Sequence, residues 1–489
     1  MLTQLPHKPF AFVVLAASSA LALATLSGCG SSASSTVSSA TAQSAPTVVT
    51  VSDAPLGSIL SARVTLSSVT LGSTATGSTP ASVLSSPVTV ELSGLGAVQE
   101  PIEISSLAQG TYNSVTLTVS GATVVYTNSS GQIVTATATL ASPTVTVALS
   151  PSLVVNSTNE LQLQLAFNLA QSFSITGTTV SFTPAINTTG AQVGSESPGD
   201  RQVEVTGNVV SVSSSSIVVQ SGDSGKQFTF TVNGTTQLPT GVSLSSIATG
   251  DIVQVQGQTQ TDGSILATSI TIESTQSSSG SGGQEQNGAK GIVLVVTQNS
   301  AGGIASFTML PRENFGSSMS GNNGSLTVNL SSSTTYALPE DAQQAGLTAS
   351  SFTAADIFPG ESVTVSGTAS GATILDATQI MLASESIPAT LVATPSGTAP
   401  DFNFSLTIAA PSFLTTYSKM VTLNGTSSTA TEYGNGLTQS GFAALAAGAS
   451  IEVHGYLLQT SPGTFALYAT KVAQIQAPET PEGGSSGDN

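Results

Sequence analysis

One cysteine, two histidines and no tryptophan occur in 489 residues, and only eight lysines and arginines stand against 26 aspartates and glutamates. Each shortage removes a class of function. A single cysteine cannot staple a disulfide scaffold. Two histidines cannot supply chemistry built on several imidazoles. Eight scattered cations under a formal net charge of −18 leave no cationic footprint, so no nucleic-acid partner is expected. Aromatics are 5% of the chain, which leaves few rings for stacking on sugars. Charged residues are only 7%, against about a quarter in ordinary soluble proteins. No cofactor is expected, because no set of residues calls for one.

What is abundant is β-branched and small. Val, Ile and Leu alternate with Thr and Ser through most of the chain, and 47 glycines punctuate the runs. That alternation excludes plain disorder and predicts strands with one buried face. The expected fold class is all-β and multidomain: an N-terminal antiparallel β-sandwich followed by three small β-barrel or sandwich repeats.

The first 28 residues read as an export signal. Lys8 lies near the start, residues 10–26 are apolar or small, and the stretch ends in Leu26-Ser27-Gly28-Cys29. Seventeen residues broken by Ser18 and Ser19 are short for a membrane span. The quartet resembles the lipobox of bacterial lipoproteins, in which the cysteine becomes the first mature residue and carries the lipid. The resemblance implies that Leu26, Ser27 and Gly28 form the signal-peptidase recognition site and that Cys29 is the lipid attachment site. Gly30 in place of Asp then implies the outer membrane. Residues 29–46, rich in Ser, Ala and Thr, read as a flexible tether.

Residues 47–190 form the sandwich unit. Strand-like alternation recurs at 47–51, 62–71, 88–92, 114–119, 144–149 and 161–167, separated by Gly, Pro, Asn and Ser clusters. Within it, Leu107, Gly110 and Tyr112 form a turn motif. Gly110 permits a tight turn, and Tyr112 covers the sandwich edge while its hydroxyl finds a backbone partner. With the opening Val51-Ser52-Asp53-Ala54-Pro55, this motif resembles prealbumin-like surface domains of an uncharacterised bacterial family, domain of unknown function 4382. The family implies no known activity.

Three later segments align with one another. They are Gly250-Asp251-Ile252-Val253-Gln254-Val255-Gln256-Gly257, then Gly360-Glu361-Ser362-Val363-Thr364-Val365-Ser366-Gly367, then Gly448-Ala449-Ser450-Ile451-Glu452-Val453-His454-Gly455. Each is followed by Ala-Thr and, two residues on, Ile or Val: Ala267-Thr268 with Ile270, Ala377-Thr378 with Ile380, Ala469-Thr470 with Val472. Upstream strands ending in Asn233, Asn329 and Asn424 recur as well. The alternating run reads as a strand, the second glycine as the start of the connection to the next strand, and Thr261-Asp262-Gly263 as a hairpin turn. Each copy is long enough to close its own core. The pattern resembles a second uncharacterised family, domain of unknown function 5666. The second copy departs by an insertion around 310–325, and the third replaces the acidic residue with Ala449. The expected boundaries are 203–275, 289–384 and 385–477 for the repeats. Polar linkers are expected at 191–202 and 274–288, and a disordered tail at 478–489.

Several constellations could carry chemistry. Gly222-Asp223-Ser224-Gly225 spells a serine-protease nucleophile motif, but the only earlier histidine is His7, in the signal. The motif sits between strand-like runs 217–219 and 228–232, where turn residues belong. His454 occupies the position of Gln256 and Ser366 in the other copies, which reads as an outward strand position open to any polar side chain. Carboxylate pairs for glycoside hydrolysis would be Glu100 with Glu103, Glu340 with Asp341, or Glu479 with Glu482, all in loop-like or tail sequence. Asp251, Asp262, Glu361 and Asp376 recur in corresponding turn regions and are weak candidates for calcium, though they read as solvated turn carboxylates.

These readings converge on a lipid-anchored cell-envelope protein that is structural or binding rather than enzymatic: a rod or string of β-domains on the outer membrane, facing the periplasm or the outside. Its expected partners are the membrane, through Cys29, and an envelope protein or extracellular ligand. The alternatives are a calcium-responsive β module and a carboxylate- or Ser-based hydrolase.

Overall fold

β-Branched residues at every second position suit a pleated surface with one buried face, and the chain follows that pattern almost throughout. The computed structural model describes residues 44–475, apart from 55–56, 74–78, 96–97, 157–160, 193–200, 275–286, 316–323, 349–350, 411, 435 and 462. Leu26, Ser27, Gly28, Cys29, Glu479 and Glu482 therefore lie outside the described residues. Among those described, no helix is long and apolar enough to cross a membrane.

The N-terminal domain is a two-layer sandwich. One sheet runs Ile186–Gln192, Leu161–Asn168, Ser44–Ala54, Glu100–Ala108. The other is built on the long pair Ile59–Ser73 and Gly110–Thr127, flanked by Ala81–Ser82, Val88–Glu91, Ile133–Thr137 and Thr144–Val155. One core unites Val49, Val51 and Leu163 with Val64, Leu66 and Val115. Three expectations are corrected here. The sandwich is not wholly antiparallel, because Ser44–Ala54 pairs with Leu161–Asn168 in parallel, Val49 opposite Leu163. The first strand also begins inside the expected tether: Ala45 is buried, opposite Leu107. Finally, Gly110 opens a strand with ordinary backbone, so no tight turn requires it. Tyr112 is buried, and its hydroxyl donates to the Ala108 carbonyl at 3.0 Å.

Each repeat closes a ring of five strands. In the first these are Gln202–Val212, Ser216–Ser221, Gln227–Thr231, Ile252–Thr259 and Ile265–Ser274. In the second they are Asn287–Gln298, Ile304–Phe315, Leu326–Asn329, Ser362–Gly371 and Ile374–Leu382. In the third they are Glu385–Leu391, Asp401–Ile408, Thr422–Thr426, Ser450–Ser461 and Thr464–Gln474. Around every ring the order is first, second, third, fifth, fourth, with the fourth paired back to the first. The third and fifth strands run parallel in all three. This is the Greek-key connectivity of the OB barrel.

The repeated residues now have physical reasons. The first glycine of each motif, Gly250, Gly360 or Gly448, has φ of 91°, 100° or 86° at the entry to the fourth strand, a region that penalises any Cβ. The second glycine does not begin a connection. Gly257, Gly367 and Gly455 lie inside the fourth strand, opposite Ala267, Ala377 and Ala469, and each marks a β-bulge in the same place. A Cβ on Gly367 or Gly455 would lie 2.1 or 2.2 Å from a carbonyl oxygen of the fifth strand. A further repeated feature escaped the sequence reading. Thr236, Thr334 and Thr431 each donate a hydroxyl hydrogen to the carbonyl of that same alanine, at 2.7–2.8 Å.

The domains are not beads on a string. The described residues form one compact unit. Tyr456 and Leu458 of the third barrel are built into the core of the second. A smaller apolar cluster joins Leu60 and Val125 of the sandwich, Ile292 and Leu310 of the second barrel, and Phe413 of the third. Burial of such side chains stabilises by about 1.5–3 kcal/mol each, which ties the domains together.

Candidate functional site

Where the four domains meet, the scarce cations are concentrated. Arg63, from the sandwich strand Ile59–Ser73, lies 3.6 Å from Glu91 and 3.6 Å from Asp223 of the first barrel. Its guanidinium also donates to the Arg312 carbonyl. Arg312, on the second barrel, holds both carboxylate oxygens of Glu385 at 2.9–3.0 Å and donates through Nε to the Leu60 carbonyl at 3.0 Å. Lys290 lies 3.9 Å from Glu204 and 3.7 Å from Glu313. Burial pulls the Lys290 ammonium down, but Glu313, Glu204, Glu273 and Asp341 outweigh it and hold it at about 12. At the rim, Lys226 meets Glu103 at 3.0 Å.

Carboxylates outnumber these cations, and the surplus is pushed toward the neutral form. Burial raises Glu100, with Asp223 and Glu313 adding to it, against the hydroxyl of Ser221 at 2.8 Å. Burial also raises Asp223, Glu273 to about 7 and Asp341 to about 6. Tyr456 donates its hydroxyl hydrogen to Asp341 at 2.5 Å.

Beside this network lies a polar cleft of about 290 Å³ between the barrels. Its wall includes Glu204, Glu340, Asp341, Glu432, Lys471 and His454, with glutamines and threonines between them. His454 is the correction of most consequence. It is not an outward surface residue but only 6% exposed, with Nδ1 hydrogen-bonded to Ser386 Oγ at 2.9 Å. Burial lowers its pKa to about 4, so the imidazole is neutral. It does point away from its own barrel core, and the other barrels cover the face it occupies.

The remaining candidates fall as follows. Gly222-Asp223-Ser224-Gly225 is the turn between the second and third strands of the first barrel, with Gly225 at φ 68°. Ser224 Oγ accepts the Lys226 N–H in this turn. Asp223 is more than a turn residue: it is buried and accepts the Glu91 N–H, plugging the turn into the sandwich. Glu100 and Glu103 lie on a strand, not in a loop, and Glu340 with Asp341 opens a short helix, Glu340–Gln344. Asp251 and Glu361 are not solvated. Asp251 is buried with Oδ2 accepting the Ala248 N–H at 2.8 Å, and burial drives Glu361 well above the usual carboxylate range. Asp262 and Asp376 are exposed, bonded to Ser264 and to Asn329. Among the described residues no three His, Cys, Asp or Glu side chains are grouped to hold a metal ion.

Sequence reasoning missed Arg63, Lys290, Arg312 and Lys471. The available signal was their isolation, since a lone cation on a strand of a charge-poor chain needs a specific partner. The insertion in the second repeat was a second signal. Residues 310–315 lengthen the second strand and carry Arg312 and Glu313 to the junction.

Residues 44–184 match the family model described as Domain of unknown function (DUF4382), and residues 206–271 match that described as Domain of unknown function (DUF5666). These are the families, in the order, that the sequence motifs indicated. No curated protein matches the chain. Among solved structures, the chain is similar to the wild-type single-stranded DNA binding protein from Thermus aquaticus at 12% identity, covering 41% of this chain and 98% of that chain, with a TM-score of 0.17. A deletion mutant of that protein matches at 11% identity, covering 40% and 97%, with a TM-score of 0.16. Likeness at that level carries no argument about this chain.

Proposed function

We propose that this chain is a lipid-anchored, non-enzymatic binding protein of the bacterial cell envelope, displayed from the membrane by a lipid on Cys29. The observation that carries the binding reading is the polar cleft of about 290 Å³ at the barrel junction. Several domains contribute its wall, the usual place for a ligand site. The anchor reading rests on Leu26-Ser27-Gly28-Cys29 at the end of an apolar run.

Two features favour binding over hydrolysis. Ser224 is engaged by the Lys226 amide within a tight turn, and the neutral, buried His454 bonds to Ser386 through Nδ1 rather than to Ser224. A nucleophile needs its base within hydrogen-bond reach. The carboxylates favour structure over calcium: Asp262 and Asp376 each bond within their own barrel, and Asp251 caps its own turn.

The anchor is tested by metabolic labelling with an alkyne fatty acid, comparing the wild type with Cys29→Ala. The expected result is label and membrane sedimentation for the wild type, and neither for the variant. A Cys29→Ala protein that is still labelled overturns the anchor. Protease shaving of intact cells then distinguishes outward from periplasmic display.

A further inference from the structure

We propose that the cleft at the barrel junction takes a small organic cation bearing a primary ammonium group, such as a short diamine. This inference rests on the reading of the cleft as a binding site and names its ligand class.

Charge comes first. Four carboxylates, Glu204, Glu340, Asp341 and Glu432, share the wall with one ammonium, Lys471. Lys290 also lies 3.9 Å from Glu204, which leaves the carboxylates in excess, and a cavity whose wall carries an excess of one sign of charge concentrates the opposite ion. The carboxylates are spread around the wall, and no group of three among the described residues is placed to hold a metal. An ion with molecular dimensions fits that spread better than a bare metal ion.

The second observation is independent of the carboxylates. His454, nine-tenths buried, lines the cleft, and its one side-chain hydrogen bond among the described residues is Nδ1 to Ser386. Nε2 is thus the imidazole atom left for an occupant. Thr271 is 7% exposed and also lines the cleft. Buried polar groups ordinarily find partners, and here an occupant of the cleft would supply them.

Among the described residues the wall contains no Phe, Tyr or Trp side chain. Quaternary ammonium ions are recognised by aromatic cages, and sugar rings stack on aromatic faces. What this wall offers is carboxylate and amide oxygen, which accept N–H hydrogens. A primary ammonium has three to give, and charge-assisted hydrogen bonds are the stronger kind. At about 290 Å³, the cleft sits at the small end of ligand sites, which selects a ligand of few heavy atoms.

The test uses the purified mature chain carrying Cys29→Ala, at pH 8, in thermal melts and titration calorimetry. The probes are 1,4-diaminobutane, uncharged 1,4-butanediol, glucose and calcium chloride. Diaminobutane is expected to raise the melting temperature, because a ligand of the folded state must do so. The diol, glucose and calcium are expected to leave it unchanged. The double substitution Glu340→Gln with Glu432→Gln is expected to weaken diaminobutane binding at least tenfold, and Thr271→Ala severalfold. Circular dichroism checks that each variant is folded. If glucose or the diol binds and the cleft variants abolish it, the cleft is a binding site but the ammonium class is wrong. If diaminobutane binds equally to the variants, it sits elsewhere and the inference falls. If no probe binds, the inference and the cleft reading fall together.

Discussion

His454 titrates at about 4 in the folded chain because it is buried, with Glu204 and Glu385 pulling its pKa up and Lys290 and Lys471 pulling it down. An unfolded histidine titrates near 6.5. Below that value the unfolded chain binds a proton that the folded chain refuses, so stability is lost as pH falls from about 6.5 toward 4. Asp341 and Glu273 act in the opposite sense. Their raised values, about 6 and about 7, mean that the folded state holds protons the unfolded state has released, so stability is lost as pH rises from about 4 through 6 and 7. Two outcomes follow. His454→Gln should remove about 2 kcal/mol of the acid-side loss between pH 6.5 and 4.5, at roughly 1.4 kcal/mol per pH unit. Asp341→Asn should flatten the slope between pH 4 and 6. Urea unfolding across that range checks both, and an unchanged pH profile for His454→Gln would show that the histidine is solvated. The sequence placed His454 on the face away from its own barrel core. Periodicity reports only which side of one barrel a residue occupies, and says nothing of what packs against that side.

At the scale of the element, the glycine pair of each repeat makes a sharp comparison. Gly455→Ala would place a Cβ 2.2 Å from the Tyr468 carbonyl oxygen, with backbone rather than flexible side chain in the way. Gly448→Ala meets nothing within 4 Å but keeps φ at 86°. The expected loss is therefore larger at the bulge, at about 3 kcal/mol by the cost of overpacking, than at the turn, at about 1–2 kcal/mol for a left-handed alanine. Denaturant midpoints of the two variants, compared at equal m-value, decide the order. The motif was legible because a ring of five short strands needs the same bulge and the same entry turn each time it is built. The bulge itself was not legible. The spacing between glycines shows only that a Cβ is unwelcome, and the approaching carbonyl belongs to the next strand, on Leu266, Asp376 or Tyr468.

For the whole molecule, the test is whether the domains unfold together. Arg312→Met removes the partner of Glu385 and the donor to the Leu60 carbonyl. A buried carboxylate left without its cation typically costs 3–5 kcal/mol. The expected outcome is a lowered melting temperature, with the sandwich and barrels no longer melting in one transition. The double variant Arg312→Met with Glu385→Met should recover much of the loss, because replacing both charges removes the stranded one. Equal melting of the single and double variants would show that the pair does not join the domains.

The sequence by itself determined the β class, the threefold repeat and the resemblance to two families, because alternation and turn residues are local properties of the chain. Tertiary structure alone decided that the barrels close as rings, that a parallel pair lies in the sandwich, and that Arg63, Asp223, Arg312 and His454 meet. Polar residues on an outward strand face look alike whether water or another domain covers them. Only the packing of four domains around one point turned those faces into a buried ion network and a cleft.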